Sequence, residues 1–259
     1  WEVEARIPWQ VLPLPGRGGK RNVRFNVSRF IPRLQQTYVY TFTSNGKTAL
    51  TPVWGEVELP ANSFVRKLQL LPYVYGGYDK ESGTIANAGL DVKMPITQTI
   101  NAVGTINPDF RNIQNQILSL DFSRFARQIS ESRPFFLEGR NYMASNLYSS
   151  QQIRTLDAGI NTYGKIDDKT SFGLIGTTEP TKESDTAVNV TRQIDANTSI
   201  RGTFTDRTTP GVRNEAYMVR FSKNFGPYSI FTRLSTSADR ALGYGSENAN
   251  YLNYNNKEW

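Results

Sequence analysis

Three stretches decide the fold: residues 198–206 (TSIRGTFTD), 215–223 (EAYMVRFSK) and 227–236 (PYSIFTRLST). Ile200, Gly202 and Phe204 alternate with Ser199, Arg201, Thr203 and Thr205. Tyr217, Val219 and Phe221 oppose Ala216, Met218, Arg220 and Ser222, and Tyr228, Ile230 and Leu234 oppose Ser229, Phe231, Arg233 and Ser235. A period of two is the mark of a strand with two unlike faces. Arg201, Arg220 and Arg233 all fall on the more polar register. On the lipid face of a membrane barrel an arginine costs roughly 2–4 kcal/mol at mid-bilayer, so in a barrel that register is the lumen. An exposed soluble sheet shows the same alternation, so the lengths of strands and connections must separate the two.

Working outward, runs of this kind recur at the length a tilted strand needs to cross a bilayer. They cover 67–78, 86–95, 98–107, 155–165, 170–178, 186–194, 198–206, 215–223, 227–236 and a last one beginning near 250. The connections alternate. Asp167-Asp168-Lys169, Asp195-Ala196-Asn197 and Asn224-Phe225-Gly226 are short, whereas 179–185, 207–214 and 237–249 are longer. Short periplasmic turns and longer outer loops are the pattern of an outer-membrane barrel. If 67–78 leaves the periplasm, Pro95-Ile96-Thr97 and Asp167-Asp168-Lys169 both fall at the periplasmic end, and the two halves of the sequence agree.

Composition removes several function classes. Cys and His are both absent, which excludes disulfides, thiolate and imidazole metal sites and nucleophiles paired with histidine. No Gly-rich phosphate loop or poised carboxylate pair occurs, so no enzyme chemistry and no cofactor are expected. Asp167 and Asp168 read as a solvated turn, short of the oxygen ligands calcium needs. The net charge of +7 is scattered, without the basic block that nucleic acid requires. A mean hydropathy of −0.49 does not argue against a barrel, whose strands hide every second side chain in lipid. Trp1 falls in mid-pattern and the sequence stops abruptly at Trp259 after a Tyr- and Asn-rich run, so it reads as part of a longer chain.

Residues 1–62 read differently, as the closing part of a soluble β-sandwich. Trp1, Val3 and Ala5 alternate with Glu2, Glu4 and Arg6; Val23, Phe25 and Val27, then Tyr38, Tyr40 and Phe42, supply two further runs. Trp9 and Trp54 are candidates for stacking on a sugar ring; packing in the domain itself is the preferred reading, since a buried Trp needs no ligand.

Residues 108–154, inside the barrel part 63–259, are too long for a hairpin loop. Phe110, Phe122, Phe125, Phe135 and Phe136 need burial, which points to a segment folded into the lumen or capping the barrel mouth. Glu131, Arg133 and Glu138 flank the Phe135-Phe136 pair, and these five residues are the candidate lumen or plug site. A charge cluster there serves as a gate or, preferably, as a structural pin.

The runs Asn107-Pro108-Asp109-Phe110, Leu120-Asp121-Phe122-Ser123-Arg124-Phe125 and Glu131-Ser132-Arg133-Pro134-Phe135-Phe136-Leu137-Glu138-Gly139 resemble a family of large outer-membrane barrels of unknown function. Gly89-Leu90-Asp91-Val92-Lys93 is similar to the family's second barrel strand. Trp1 to Trp9 is similar to the closing part of the family's periplasmic domain, which is itself similar to family 9 carbohydrate-binding modules. The resemblance implies a barrel with a sugar-module-like partner domain, and supplies no substrate.

The expectation is an all-β protein: the end of a periplasmic sandwich at 1–62, then an incomplete antiparallel transmembrane β-barrel of at least ten strands. Its expected seat is the outer membrane and its expected partner the lipid bilayer. Passage, ligand binding or assembly at the cell surface is the expected role, with a carbohydrate as the favoured ligand and no nucleic acid. The alternatives are a structural subunit docked with protein partners in a larger membrane complex, and a secreted carbohydrate-binding β protein.

Overall fold

Ten consecutive strands, each hydrogen-bonded to the next, make up most of the described residues. The computed structural model describes residues 4–6, 21–41, 54–59, 67–80, 83–108, 131, 133–153 and 155–254. In the first part β1 (Arg21–Phe25) pairs with β4 (Gly55–Leu59), and β2 (Ser28–Ile31) pairs with β3 (Gln36–Val39) across a short 3-10 turn at Pro32–Leu34. Phe25 stacks on Tyr40 at 5.2 Å between centroids. The expected strand over Trp1–Arg6 is not present where it is described, since Glu4–Arg6 lie outside any strand. Trp9 lies outside the described residues.

The main sheet begins with β5 (Gln69–Asp79), β6 (Gly83–Pro95) and β7 (Ile100–Ile106). It continues through β8 (Ala158–Lys165), β9 (Thr170–Glu179), β10 (Glu183–Asp195), β11 (Thr198–Thr209), β12 (Val212–Phe225), β13 (Tyr228–Asp239) and β14 (Gly243–Tyr254). Every pairing is antiparallel and joins neighbours in sequence, so the sheet is a single meander. All ten expected strands are there. Among the described residues β5 and β14 are its two edges.

The expected long loops are a correction. Residues 179–185, 207–214 and 237–249 read as loops because they are polar, yet most of each belongs to a strand, and the turns shrink to 180–182, 210–211 and 240–242. Cross-strand polar pairs carry the ladder to the tips: Arg207 with Asp185 at 2.7 Å, Arg213 with Asp206 at 3.0 Å, and Asn214 with Asp239 at 3.0 Å. Such pairs let a strand continue without apolar side chains. At the opposite end Asp167 closes the β8–β9 turn by accepting from the backbone N–H groups of Lys169 and Thr170, both at 2.7 Å. These bonds, the first the largest effect, hold its carboxyl below the usual aspartate value.

The two faces of the sheet differ as the register requires. Val103, Asn161, Ile175 and Ala187 form one cross-strand row, and all four are buried. Val190, Gly202, Val219 and Leu234 form a row of the opposite register. Leu70, Val74, Ile160, Ile200, Val219 and Leu234 on that second face are all exposed, Val74 to 83%. Phe225, Tyr228 and Tyr254 gather at its turn end, with Tyr228 5.6 Å from Phe225 and 5.0 Å from Tyr254. Nearer the other end Phe204 lies 5.0 Å from Tyr217.

Candidate functional site

In the connection between β7 and β8, the described residues 133–153 pack on the buried face of the sheet. Pro134 fixes the first turn of a short helix, α1 (Pro134–Leu137), where its missing N–H costs nothing. Gly139, with φ +64°, then turns the chain back over the Tyr163 ring, where any side chain would collide with that ring. Short 3-10 turns at Arg140–Tyr142 and Ser150–Gln152 complete the segment.

Phe135 and Phe136 meet edge to face at 5.0 Å and are buried together with Met143, Ile153, Leu156, Tyr163 and Ile175. This is the main apolar core of the described residues, and it lies between the segment and the sheet. Gly159 of β8 makes room for the Phe135 ring.

Arg133 is 4% exposed and its guanidinium is fully engaged. Its Nε donates to Glu131 Oε1 at 2.9 Å and Nη2 to Glu131 Oε2 at 2.8 Å. Nη1 donates to the Ile153 carbonyl at 2.5 Å and Nη2 to that of Ser150 at 2.6 Å, tying the two ends of the segment together. The guanidinium also lies 4.0 Å over the Phe136 ring. Burial would raise the Glu131 pKa. Hydrogen bonds from Arg133 and from the Ser150 hydroxyl at 2.6 Å, with the Arg133 charge, outweigh it and hold the carboxyl at about 2.

Glu138 sits apart from that pair. It accepts from Lys93 Nζ of β6 at 2.6 Å and from the Tyr163 hydroxyl of β8. Of the five expected site residues the structure therefore joins Glu131, Arg133 and Phe136 in one cluster, sets Phe135 against it, and gives Glu138 to the sheet wall.

The wall supplies further anchors that sequence reading missed. Asn161 Nδ2 donates to the carbonyls of Phe135 at 3.1 Å and Glu138 at 2.8 Å. Asn189 Nδ2 donates to Tyr142 O at 2.6 Å, and Arg201 Nη1 to Ala144 O at 2.7 Å. Asn161, Asn189 and Arg201 all lie on the polar register of their strands. That is the signal available beforehand, because a polar residue in a buried row must find a partner. A cavity of about 360 Å³ lies between Tyr148, Gln152 and the wall at Asp185, Ala187, Thr205 and Arg207. Burial pushes the Tyr148 hydroxyl up, so that it stays neutral. Trp54, the other candidate for sugar stacking, is half-buried, and its Nε1 has no hydrogen-bond partner among the described residues.

A family model described as a domain of unknown function (DUF5916) matches residues 65–171. That span is less than half of the chain. It contains β5 to β8 and the packed segment, so the similarity falls on the part of the sheet that holds the insertion. No curated protein and no solved structure matches the chain.

Proposed function

We propose that this chain is a stretch of an outer-membrane β-barrel, with lipid against the Leu70–Val74–Val219–Leu234 face and a lumen against the face that carries residues 133–153. The observation behind this reading is the unlike dressing of one meander. The face that is covered is lined by Asn161, Asn189, Thr203 and Arg201, and the face left open is apolar. In water the reverse arrangement is favoured, since exposed apolar area costs about 25 cal/mol per Å². Aromatic clusters such as Phe225–Tyr228–Tyr254 and Phe204–Tyr217 suit the girdles at membrane interfaces. Closure into a barrel takes further strands, or pairing of β5 with β14.

The packed segment narrows the lumen as a pinned constriction. Passage or binding of a solute is then the role, with a carbohydrate favoured, and the cavity beside Tyr148 is a place for it. Residues 1–62 belong in this reading to a periplasmic domain similar to family 9 carbohydrate-binding modules. The chain works by holding and admitting a ligand, without catalysis of its own.

Single cysteines along 215–223 test the reading, in a sequence that has no cysteine of its own. In whole outer membranes the even positions 216, 220 and 222 should react with a water-soluble maleimide, and 217, 219 and 221 only with a membrane-soluble one; position 218 is buried and is left out. Uniform reaction, or recovery of the full-length protein without detergent, would overturn the membrane assignment.

A further inference from the structure

Three arginines stand side by side on the inner face. Arg201 of β11 is directly opposite Arg220 of β12, and Arg220 is directly opposite Arg233 of β13. Neighbouring strands lie about 4.8 Å apart, so the row gathers three cations within roughly 10 Å. Like charges directly opposite one another destabilise a sheet.

Among the described residues little offsets that repulsion. Arg233 pairs with Glu247 Oε1 at 2.5 Å, but the Glu247 side chain is 55% exposed. Among the described residues Arg201 and Arg220 have no carboxylate. Arg201 is fixed by neutral oxygens, Thr191 Oγ1 at 3.1 Å and Ala144 O at 2.7 Å. Arg220 donates to Ser222 Oγ at 3.2 Å and lies 4.3 Å over the Phe231 ring, which in turn stacks on Tyr251 at 4.3 Å. The Nε of Arg233 is buried with no hydrogen-bond partner among the described residues. Among the described residues the guanidinium groups are thus held in place while N–H donors and net positive charge are left over.

We propose that Arg201, Arg220 and Arg233 form an oxyanion-binding site on the inner wall. It takes the phosphate, sulfate or carboxylate group of a solute, with the Phe231–Tyr251 stack beside it to receive the flat body that carries the charge. A planar guanidinium matches the two oxygens of such a group and binds them in a fork. The bound anion also supplies the charge that the row lacks. This inference rests on the barrel reading only in taking the inner face as open to solutes.

Titration calorimetry on the full-length protein in detergent tests it, with inorganic phosphate and a galacturonate oligosaccharide as probes. Sodium chloride of equal ionic strength is the reference. Either probe should bind, and tighter binding of the oligosaccharide would identify an acidic sugar, not a bare anion, as the solute. Arg220→Gln should weaken binding roughly tenfold or more, the worth of a charged hydrogen bond. Arg220→Lys, which keeps the charge and loses the fork, should fall between.

A second readout guards against misfolding: in low salt without probe, Arg220→Gln should melt no lower than wild type, because it relieves repulsion. Absence of binding, equal binding by the variant, or a lower melting point for it overturns the site. A heat-modifiable, membrane-embedded protein that ignores both probes overturns this inference alone. A chain that binds phosphate through Arg220 but fails to embed overturns the barrel reading and leaves the site standing.

Discussion

Gly159 of β8 lies so close under Phe135 of the packed segment that a methyl group on residue 159 would come within 2.7 Å of the ring Cζ. Phe135 is 2% exposed and has nowhere to retreat. Gly159→Ala should therefore cost about 1–3 kcal/mol, the usual range for overpacking a core. It should also lift the segment, so that trypsin reaches Arg140 in the variant faster than in wild type. Unchanged melting and unchanged cleavage would show that the two surfaces do not meet.

The Glu131–Arg133 pair is buried on both sides. Removing one partner strands the other's charge, and Arg133→Met should cost about 3–5 kcal/mol. The double variant Glu131→Gln with Arg133→Met should recover a large part of the loss. A double-mutant cycle on chemical denaturation measures the coupling; additive losses would mean that the two side chains act independently.

Acid should loosen the segment in a defined window. The Glu131 carboxyl titrates at about 2 when folded, against 4.5 ordinarily. Its folded pKa is depressed, so the stability it lends is complete above about 4.5 and is lost as the pH falls from there towards 2. The loss should reach roughly 3 kcal/mol, one pKa unit being about 1.4 kcal/mol. Hydrogen exchange of residues 133–153 between pH 5 and pH 2.5 reads this directly, and Glu131→Gln should flatten the pH dependence.

Asn161 and Asn189 hold the segment by its backbone carbonyls. Asn161→Leu leaves the Phe135 and Glu138 carbonyls without that donor in a buried setting, at a cost of about 1–3 kcal/mol each. The expected outcome is a lower melting point and faster whole-cell proteolysis between Arg133 and Ile153. The strands should stay paired, as judged by an unchanged far-ultraviolet spectrum.

The middles of the strands were legible because alternation there is driven by burial, as with Tyr217–Phe221 against Met218 and Arg220. The strand ends were not. Arg207, Asp185, Arg213 and Asp206 look like loop residues singly, and become strand residues only when paired across a ladder that one-dimensional reading cannot see. The burial of Phe135 and Phe136 followed from their character, yet the partition of the acids did not. Glu138 is nearer to Arg133 in sequence than to Lys93, but the Gly139 turn gives it to Lys93 and Tyr163. Asn161 and Asn189 looked ordinary because their acceptors are backbone atoms.

The insertion between β7 and β8 also sets an order of assembly. Its base is tied where Asn107 N–H donates to Asp157 O at 2.6 Å. Among the described residues its side-chain anchors lie on β6, β8, β10 and β11, and β8, β10 and β11 follow it in the chain. Residues 133–153 therefore cannot gather all the side-chain donors for their carbonyls until four later strands, β8 to β11, have zipped together. Until β8 is in place Phe135 lacks both Asn161 and the surface at Gly159. The growing sheet must carry a sticky, undocked flap, which makes this segment the place where a chaperone has most to shield and where a stalled intermediate would aggregate.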